Sequence, residues 1–324
     1  MAVQEGPAQA HGRIIHSRGF ERNTLPICMR ALANEEIFSS VSEILHSAAS
    51  MVRSGERVTL ATTEATLPSS LAIAPIEAAL LDEGLPYRRS ISDGRKSGSI
   101  NPESTFIIID MDNDGITISE KGARGLHIGA NVPTIAHMGQ HAKARNGILT
   151  PTAISHALAQ LISPSGKRVR RMRPWVISGN WINPSMDATY DPVYTSLRDF
   201  LEEEGTISVV PFPEVPDPDP QSRPWVNSDD LDAVRERWAE LDAEGRARAI
   251  SHLMRPGLFS SAPSTARFEE LGWHCILAPT WERDLAGQIR EASSIWGTNN
   301  REDAAGKLID SLISNGQIRT IQSE

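Results

Sequence analysis

Residues 106 to 115 have the sequence FIIIDMDNDG. One phenylalanine and three isoleucines form a short apolar run rich in β-branched side chains, which predicts a buried strand. Three aspartates follow at alternate positions, Asp110, Asp112 and Asp114. In an open α/β sheet, ligands bind in the crevice at the carboxyl ends of the strands. This stretch therefore predicts both a central strand and a candidate site at its end.

The sequence around this strand alternates between strand and helix patterns. The predicted strands are 57–61, 85–91 and 105–110, and the predicted helices are 34–52, 67–83 and 150–162. Such alternation is typical of a mostly parallel sheet that is flanked by helices, so the predicted fold class is α/β. Residues 116–118 indicate a further short strand. Gly122, Gly125 and Gly129 indicate turns around the apolar residues 126–128.

Composition along the chain predicts three parts. Residues 1–24 form a polar, flexible arm, and residues 25–165 form the α/β domain. Residues 166–324 hold a basic linker, a proline-rich surface loop at 211–224 and a mainly helical remainder. Proline fixes φ and removes a backbone donor, which excludes a regular helix or a central strand in that loop.

The overall composition limits the class of protein. The 324 residues are 40% hydrophobic with a net charge of -9, which indicates a globular acidic protein that binds nucleic acid only through a local basic patch. Cys28 and Cys275 lie far apart, as expected for a reducing compartment without a disulfide framework. No apolar stretch approaches the roughly 20 residues of a membrane span, and the N-terminus lacks the apolar core of a secretory signal. We expect a cytoplasmic protein that does not contact a membrane.

Two interpretations of the aspartate cluster remain open. The spacing of Asp110, Asp112 and Asp114 matches the start of a calcium-binding EF-hand loop, but Lys121 occupies the twelfth position, where a glutamate is needed. A divalent-metal site formed by Glu64, Asp110 and Asp112 is one interpretation, because carboxylates from several strand ends can bind such an ion. The other is a solvated turn, for which aspartate, asparagine and glycine are the usual residues.

Three histidines lie in one region of the sequence, His127, His137 and His141. His137 and His141 have helical zinc-ligand spacing, but the glutamate of an HExxH motif is missing and Gly139 lies between them. We expect surface histidines, or histidines that orient other residues.

A basic run contrasts with the acidic chain. Its members are Lys167, Arg168, Arg170, Arg171 and Arg173. With Trp175 and Trp181 close behind, the run could follow a phosphate backbone and stack on a base. The alternatives are a solvated linker, or cations that pair with the protein's own acids, with both tryptophans in the core.

The order of these parts resembles the DHH phosphoesterase superfamily, in particular the RecJ-like proteins of archaea. The matching positions are Thr62-x-Glu64-x-Thr66, FIIID at 106–110, HIGANVP at 127–133 and the helix-Glu-Gly-strand-Pro passage at 194–216. The resemblance covers about residues 55 to 260. It implies an α/β domain of the DHH type.

The resemblance also implies that the chemistry of the family is lost. Enzymes of this family hold two divalent ions, usually manganese, with an HxDxDG motif, a strand-end aspartate and a DHH motif. Here the first motif is replaced by Thr62, Glu64 and Thr66. Gly129, Ala130 and Asn131 stand where Asp-His-His belongs, and Asp110 is retained. The superfamily includes inactive members that sit in the replicative helicase assembly with GINS and the MCM ring.

The leading hypothesis is therefore a non-catalytic RecJ-like scaffold in DNA replication or repair, without a cofactor. Its expected partners are GINS-like proteins or helicase subunits, and single-stranded DNA. One alternative is an active phosphoesterase or single-strand exonuclease that uses manganese or magnesium, bound by Glu64, Asp110, Asp112 and either His127 or His137. Another alternative is a protein-interaction domain with no nucleic-acid role.

Overall fold

The computed structural model describes residues 29–54, 56–92, 104–119, 123–138, 143–187, 190–259, 263–298 and 300–318. The predicted N-terminal arm, Cys28, Lys121, Gly122 and His141 lie outside the described residues. Cys275 is buried. Within the part of the chain that the structure describes, no helix is long and apolar enough to cross a membrane.

The described strands lie in three sheets. They are β1 (Val58–Thr62), β2 (Tyr87–Ile91), β3 (Thr105–Asp110), β4 (Ile116–Ser119), β5 (Gly125–Gly129), β6 (Val132–Met138), β7 (Lys143–Leu149), β8 (Ser208–Val210) and β9 (Cys275–Leu277). The main sheet has the order β2-β1-β3-β5-β4, in which only β4 is antiparallel to its neighbour. β6 pairs with β7, and β8 pairs with β9, both antiparallel.

Helices make up much of the remaining described chain. They are α1 (Ser42–Val52), α2 (Leu67–Asp82), α3 (Pro151–Ile162), α4 (Lys167–Met172), α5 (Ser178–Ile182), α6 (Pro192–Glu203), α7 (Ser228–Arg237), α8 (Ala243–Met254), α9 (Thr265–Gly272), α10 (Leu285–Thr298) and α11 (Arg301–Asn315). The predicted α/β fold, with a mostly parallel sheet flanked by helices and a mainly helical C-terminal portion, is confirmed.

Helix α2 joins the sheet to the C-terminal helices. Its side chains are mostly apolar and most of them are buried, as expected for a helix that is surrounded by protein, and it packs against β1 and β3 as well as α3, α4 and α11. It begins at a capping box in which Thr66 and Ser69 exchange hydrogen bonds. Pro75 lies inside the helix, which continues through it.

One hydrophobic core contains residues from both sides of the predicted boundary at residue 165. The rings of Trp175 and Trp281 lie 5.0 Å apart in this core. Their indole N–H groups both donate to the carbonyl oxygen of Gly316, at 2.9 and 3.0 Å. The C-terminal end of the described chain is thus fixed to its middle. The division of the chain into domains stays a prediction.

Four segments differ from their predicted structure. Residues 125–129 form strand β5 where we expected turns. The single helix predicted at 34–52 is two short 3-10 turns followed by α1. The basic run forms helix α4 and the turn after it, and does not form a linker. The proline-rich segment contains the buried side chains of Phe212, Val215 and Arg223, so it is only partly a surface loop.

Glycines explain why β5 was missed. A Cβ atom on Gly125 would lie 2.2 Å from the ring of Phe106 on the neighbouring strand. Glycine inside a strand often marks such a close approach, and not a turn.

Candidate functional site at the carboxyl edge of the sheet

The ends of three parallel strands bring the predicted motif positions together. Thr62 at the end of β1 is the register partner of Ile109 on β3, and Asp110 at the end of β3 is the partner of Gly129 on β5. Thr62, Asp110 and Gly129 therefore lie at one edge of the sheet. This is the edge at which ligands bind in open α/β folds.

The Asp110 carboxylate is used within the turn that follows it. Its Oδ1 accepts a hydrogen bond from the Asp112 backbone N–H at 3.1 Å, and its Oδ2 accepts one from the Asn113 side-chain amide at 2.6 Å. This is the local side chain to backbone bonding that favours aspartate in turns. The geometry agrees with the predicted turn formed by these residues.

The same turn folds back over the end of β5. The Gly129 N–H donates to the Gly115 carbonyl at 2.7 Å, and the Ala130 N–H donates to the Asn113 carbonyl at 2.6 Å. Asn131 donates through its side-chain amide to Asp114 at 2.9 Å. A Cβ atom on Gly129 would lie 2.4 Å from the Asn113 carbonyl oxygen. Protein backbone therefore fills the space in front of Gly129.

The polar groups at the end of β1 also bond locally. The buried Thr62 hydroxyl donates to the Glu64 carbonyl at 2.8 Å, and the Ser69 hydroxyl donates to the same carbonyl at 2.6 Å. The hydroxyls thus act as turn and cap groups. Trp296 on α10 donates through its indole N–H to the Ala65 carbonyl at 3.2 Å.

Sequence reasoning missed Trp296 at this edge. Nothing in the sequence near residue 296 connects that tryptophan to Ala65, which is 231 residues away.

The candidate metal ligands do not form a cluster. Among the described residues, no group of three or more histidine, cysteine, aspartate or glutamate side chains is arranged to hold an ion. The ring of His127 packs edge-on against Phe106, with centroids 5.1 Å apart. His137 lies on β6, outside the main sheet, and its Nδ1 is 2.6 Å from Glu36. These residues do not fit a two-ion site. A metal role for Glu64, Asp110 and Asp112 stays a prediction.

The basic run divides into buried and exposed cations. Arg173 is only 3% exposed, and its guanidinium bonds Glu204 at 2.9 Å and the Gln160 side-chain oxygen at 2.9 Å. Burial lowers the pKa of Arg173, although Glu204 opposes this effect. The prediction that Arg173 contacts nucleic acid is therefore wrong, because folding encloses this side chain.

Asp82 of α2 engages another member of the run. The Asp82 carboxylate accepts from the backbone N–H and the guanidinium of Arg168 at 2.8 and 3.0 Å. Lys167, Arg170 and Arg171 are exposed on α4, and Arg171 also donates to the Ser314 carbonyl. Pairing with the protein's own acids thus accounts for part of the run.

The tryptophans behind the basic run do not form a stacking surface. Trp175 and Trp181 are 1% and 6% exposed. Trp181 packs against Tyr194, with ring centroids 5.9 Å apart. The base-stacking interpretation of these two residues is wrong, and the interpretation as core residues is confirmed.

The fold and this edge define a class: an α/β protein with a mostly parallel sheet, at one edge of which Thr62, Asp110 and Gly129 lie together. No protein-family model matches the chain, and no curated protein matches it. Among solved structures, it is similar to CDC45 from Entamoeba histolytica, with 7% sequence identity and a TM-score of 0.45, over 85% of this chain and 68% of that chain.

Two RecJ structures are also similar to this chain. RecJ in complex with Mn2+ from Thermus thermophilus has 14% identity and a TM-score of 0.35, over 83% of this chain and 34% of that chain. Exonuclease RecJ bound to manganese has 14% identity and a TM-score of 0.36, over 84% of this chain and 62% of that chain. The RecJ-like resemblance itself rests on the sequence motifs at 62–66, 106–110 and 127–133. The archaeal type stays a prediction.

Proposed function

We propose that this protein is a non-catalytic RecJ-like scaffold that acts in DNA replication or repair. The observation that carries the proposal is the register of the sheet. Thr62, Asp110 and Gly129 occupy the motif positions of the family and meet at one edge. Of the three, only Asp110 has a side chain that binds metals well.

The remaining groups at this edge are poor substitutes for a two-ion site. Such a site activates water and stabilises the leaving oxygen only when several oxygen or nitrogen ligands surround both ions. Both oxygens of Asp110 accept hydrogen bonds inside the turn. Gly129 and Ala130 offer no ligand, and the Asn131 amide bonds Asp114. Glu64, Asp112 and Asp114 are the further carboxylates of the segments described at this edge.

The experiment is a nuclease assay on end-labelled single-stranded DNA with added Mn2+. We expect no degradation above that of the Asp110→Ala protein, and no saturable Mn2+ binding by calorimetry. Mn2+-dependent degradation that disappears in both Asp110→Ala and Glu64→Gln would overturn the proposal in favour of an active phosphoesterase. The control is Asp232→Ala, which removes an exposed carboxylate on α7 that belongs to no candidate metal site.

The proposal includes protein partners of the GINS type or helicase subunits. It also includes single-stranded DNA, held by the exposed cations Lys167, Arg170 and Arg171 on α4. The partner test is co-elution of the purified chain with GINS and MCM proteins from the same organism. A chain that elutes alone at all salt concentrations would contradict the partner part of the proposal.

A further inference from the structure

Strand β2 is an edge of the main sheet. It pairs only with β1 among the described strands. The Pro86 carbonyl accepts from the Val58 N–H at 3.0 Å, and the Ser92 N–H donates to the Thr62 carbonyl at 3.3 Å, so both groups face β1. Because backbone groups alternate in direction along a strand, the N–H and C=O groups of Arg89 and Ile91 face away from β1.

These outward groups are available for pairing. Among the described residues, the outward N–H and C=O groups of Tyr87, Arg89 and Ile91 make no hydrogen bond. Such a row of groups is a template for another extended chain. Peptides are recognised in this way in β-strand addition, where the backbone supplies affinity and alternate side chains supply specificity.

A groove follows this edge. It has a volume of about 420 Å³ and lies between Arg89 and Ile91 on β2 and the facing side of α11. Gly306 lies in the middle of that side, and a Cβ atom there would come no closer than 3.9 Å to Arg89 Nη2. Glycine inside a helix costs up to about 1 kcal/mol relative to alanine. Here it leaves room beside the open edge.

The two sides of the groove differ in charge. On the α11 side the groove is lined by three carboxylates and one ammonium group, from Glu302, Asp303, Asp310 and Lys307. Asp310 is already paired with Arg89 at 2.8 Å. The exposed Arg88 lies on the opposite face of β2, because successive side chains of a strand alternate. A strand added beside β2 therefore meets an excess of carboxylates on one of its faces and a guanidinium on the other.

We propose that β2 binds an extended segment of a partner protein by adding it as a further strand, with basic side chains towards α11 and an acidic side chain beside Arg88. This inference deepens the proposed scaffold function and rests on it for the existence of a partner. Its assay measures peptide binding at β2. A failure to bind peptide would not change the results of the Mn2+ and nuclease assays. Equally, nuclease activity in those assays would not show whether β2 binds a peptide.

The first test uses a fluorescent peptide of about seven residues, TKEVTKT, which is long enough to follow β2 at ~3.3 Å per residue. We expect saturable binding by anisotropy, and slower hydrogen exchange at the Arg89 and Ile91 amides in the bound state. A peptide of the same composition with its lysines and glutamate on one face is the control and should bind more weakly. No binding, or binding without protection of these amides, overturns the proposal.

The second test changes the outer edge of β2 and leaves the backbone hydrogen bonds between β2 and β1 in place. Ile91→Pro removes an outward N–H, and Ile91→Val keeps it. We expect about tenfold weaker peptide binding for the proline variant, the effect of one lost hydrogen bond to a bound chain, and unchanged binding for the valine variant. Gly306→Gln should block the groove, whereas Gly306→Ala should not. Equal binding by Ile91→Pro and Ile91→Val overturns the proposal, and folding of each variant is checked by circular dichroism.

Discussion

Asp110 and Gly129 are register partners at the ends of β3 and β5, and the turn that begins after Asp110 closes over Gly129. The Asn113 and Gly115 carbonyls accept the N–H groups of Ala130 and Gly129 at 2.6 and 2.7 Å. In the DHH resemblance Gly129 corresponds to the first position of the DHH motif, and here protein backbone is packed against it. The backbone packing therefore lies at the point of the sheet where the resemblance would place a metal ligand.

Gly129→Ala should destabilise the protein by about 1–3 kcal/mol, the usual cost of forcing an extra methyl group into a well-packed site. The reason is that the new Cβ atom would lie 2.4 Å from the Asn113 carbonyl oxygen and 2.7 Å from that of Gly115. The measurement is urea unfolding. The control is Gly297→Ala on α10, where a Cβ atom meets nothing within 4 Å. Equal stability of the two variants would contradict this packing.

The sequence predicted the parts of this edge that depend on local chemistry. The isoleucines of β3 indicate a buried strand, and the aspartates, Asn113 and Gly115 indicate the turn; Gly115 indeed has a φ of +87°, a conformation suited to glycine. Residues distant in sequence decide the rest. Position 129 requires a glycine because the turn packs against it, and no local sequence pattern indicates that contact.

The basic run shows the same limit. Its charges suggested a solvated segment, but Val169 and Met172 are buried, three positions apart, as on one side of a helix. Arg173 is enclosed because two residues that are distant in sequence bond its guanidinium. They are Gln160 on α3 and Glu204, which directly follows α6. A charge pattern alone does not distinguish such a buried ion pair from a cation exposed to solvent.

His156 on α3 should make the protein sensitive to acid. Burial, with a smaller effect from Arg173, lowers the pKa of this histidine from 6.5 to about 3, and its Nε2 has no hydrogen-bond partner among the described residues. In mild acid, His156 is therefore protonated in the unfolded chain and neutral in the folded chain. Stability from this residue is complete above pH 6.5 and is lost as the pH falls towards 3, with a slope of at most about 1.4 kcal/mol per pH unit.

The test is urea unfolding of His156→Gln between about pH 7 and about pH 4, where the histidine titrates in the unfolded chain and stays neutral in the folded one. Loss of the titrating group should flatten the dependence of unfolding free energy on pH. His46→Gln, which changes an exposed histidine, is the control and should retain the wild-type slope. Identical slopes for both variants would show that His156 does not carry the effect.

Breaking the buried ion pair between Arg223 and Asp284 should greatly lower the free energy of unfolding. Arg223 Nη2 and Asp284 Oδ2 are 2.6 Å apart, and both side chains are almost completely buried. Asp284→Ala leaves the guanidinium unpaired in the core, for which we expect a loss of about 3–5 kcal/mol in urea unfolding. The double variant Arg223→Met with Asp284→Leu removes both charges and should recover much of the loss. A double variant less stable than Asp284→Ala would contradict this electrostatic reason.

Charge reversal on α4 should weaken binding to single-stranded DNA. Lys167, Arg170 and Arg171 are exposed, and each phosphate contact by a cation contributes about 0.7 to the slope of log affinity against log salt concentration. Replacing all three by glutamate should lower that slope by about 2. The matched control is Arg237→Glu, an exposed cation on α7, and Arg173 is left unchanged because it is buried in an ion pair with Glu204. An unchanged slope in the triple variant, with the fold intact by circular dichroism, would leave α4 without a role in DNA binding and would favour a scaffold that contacts proteins alone.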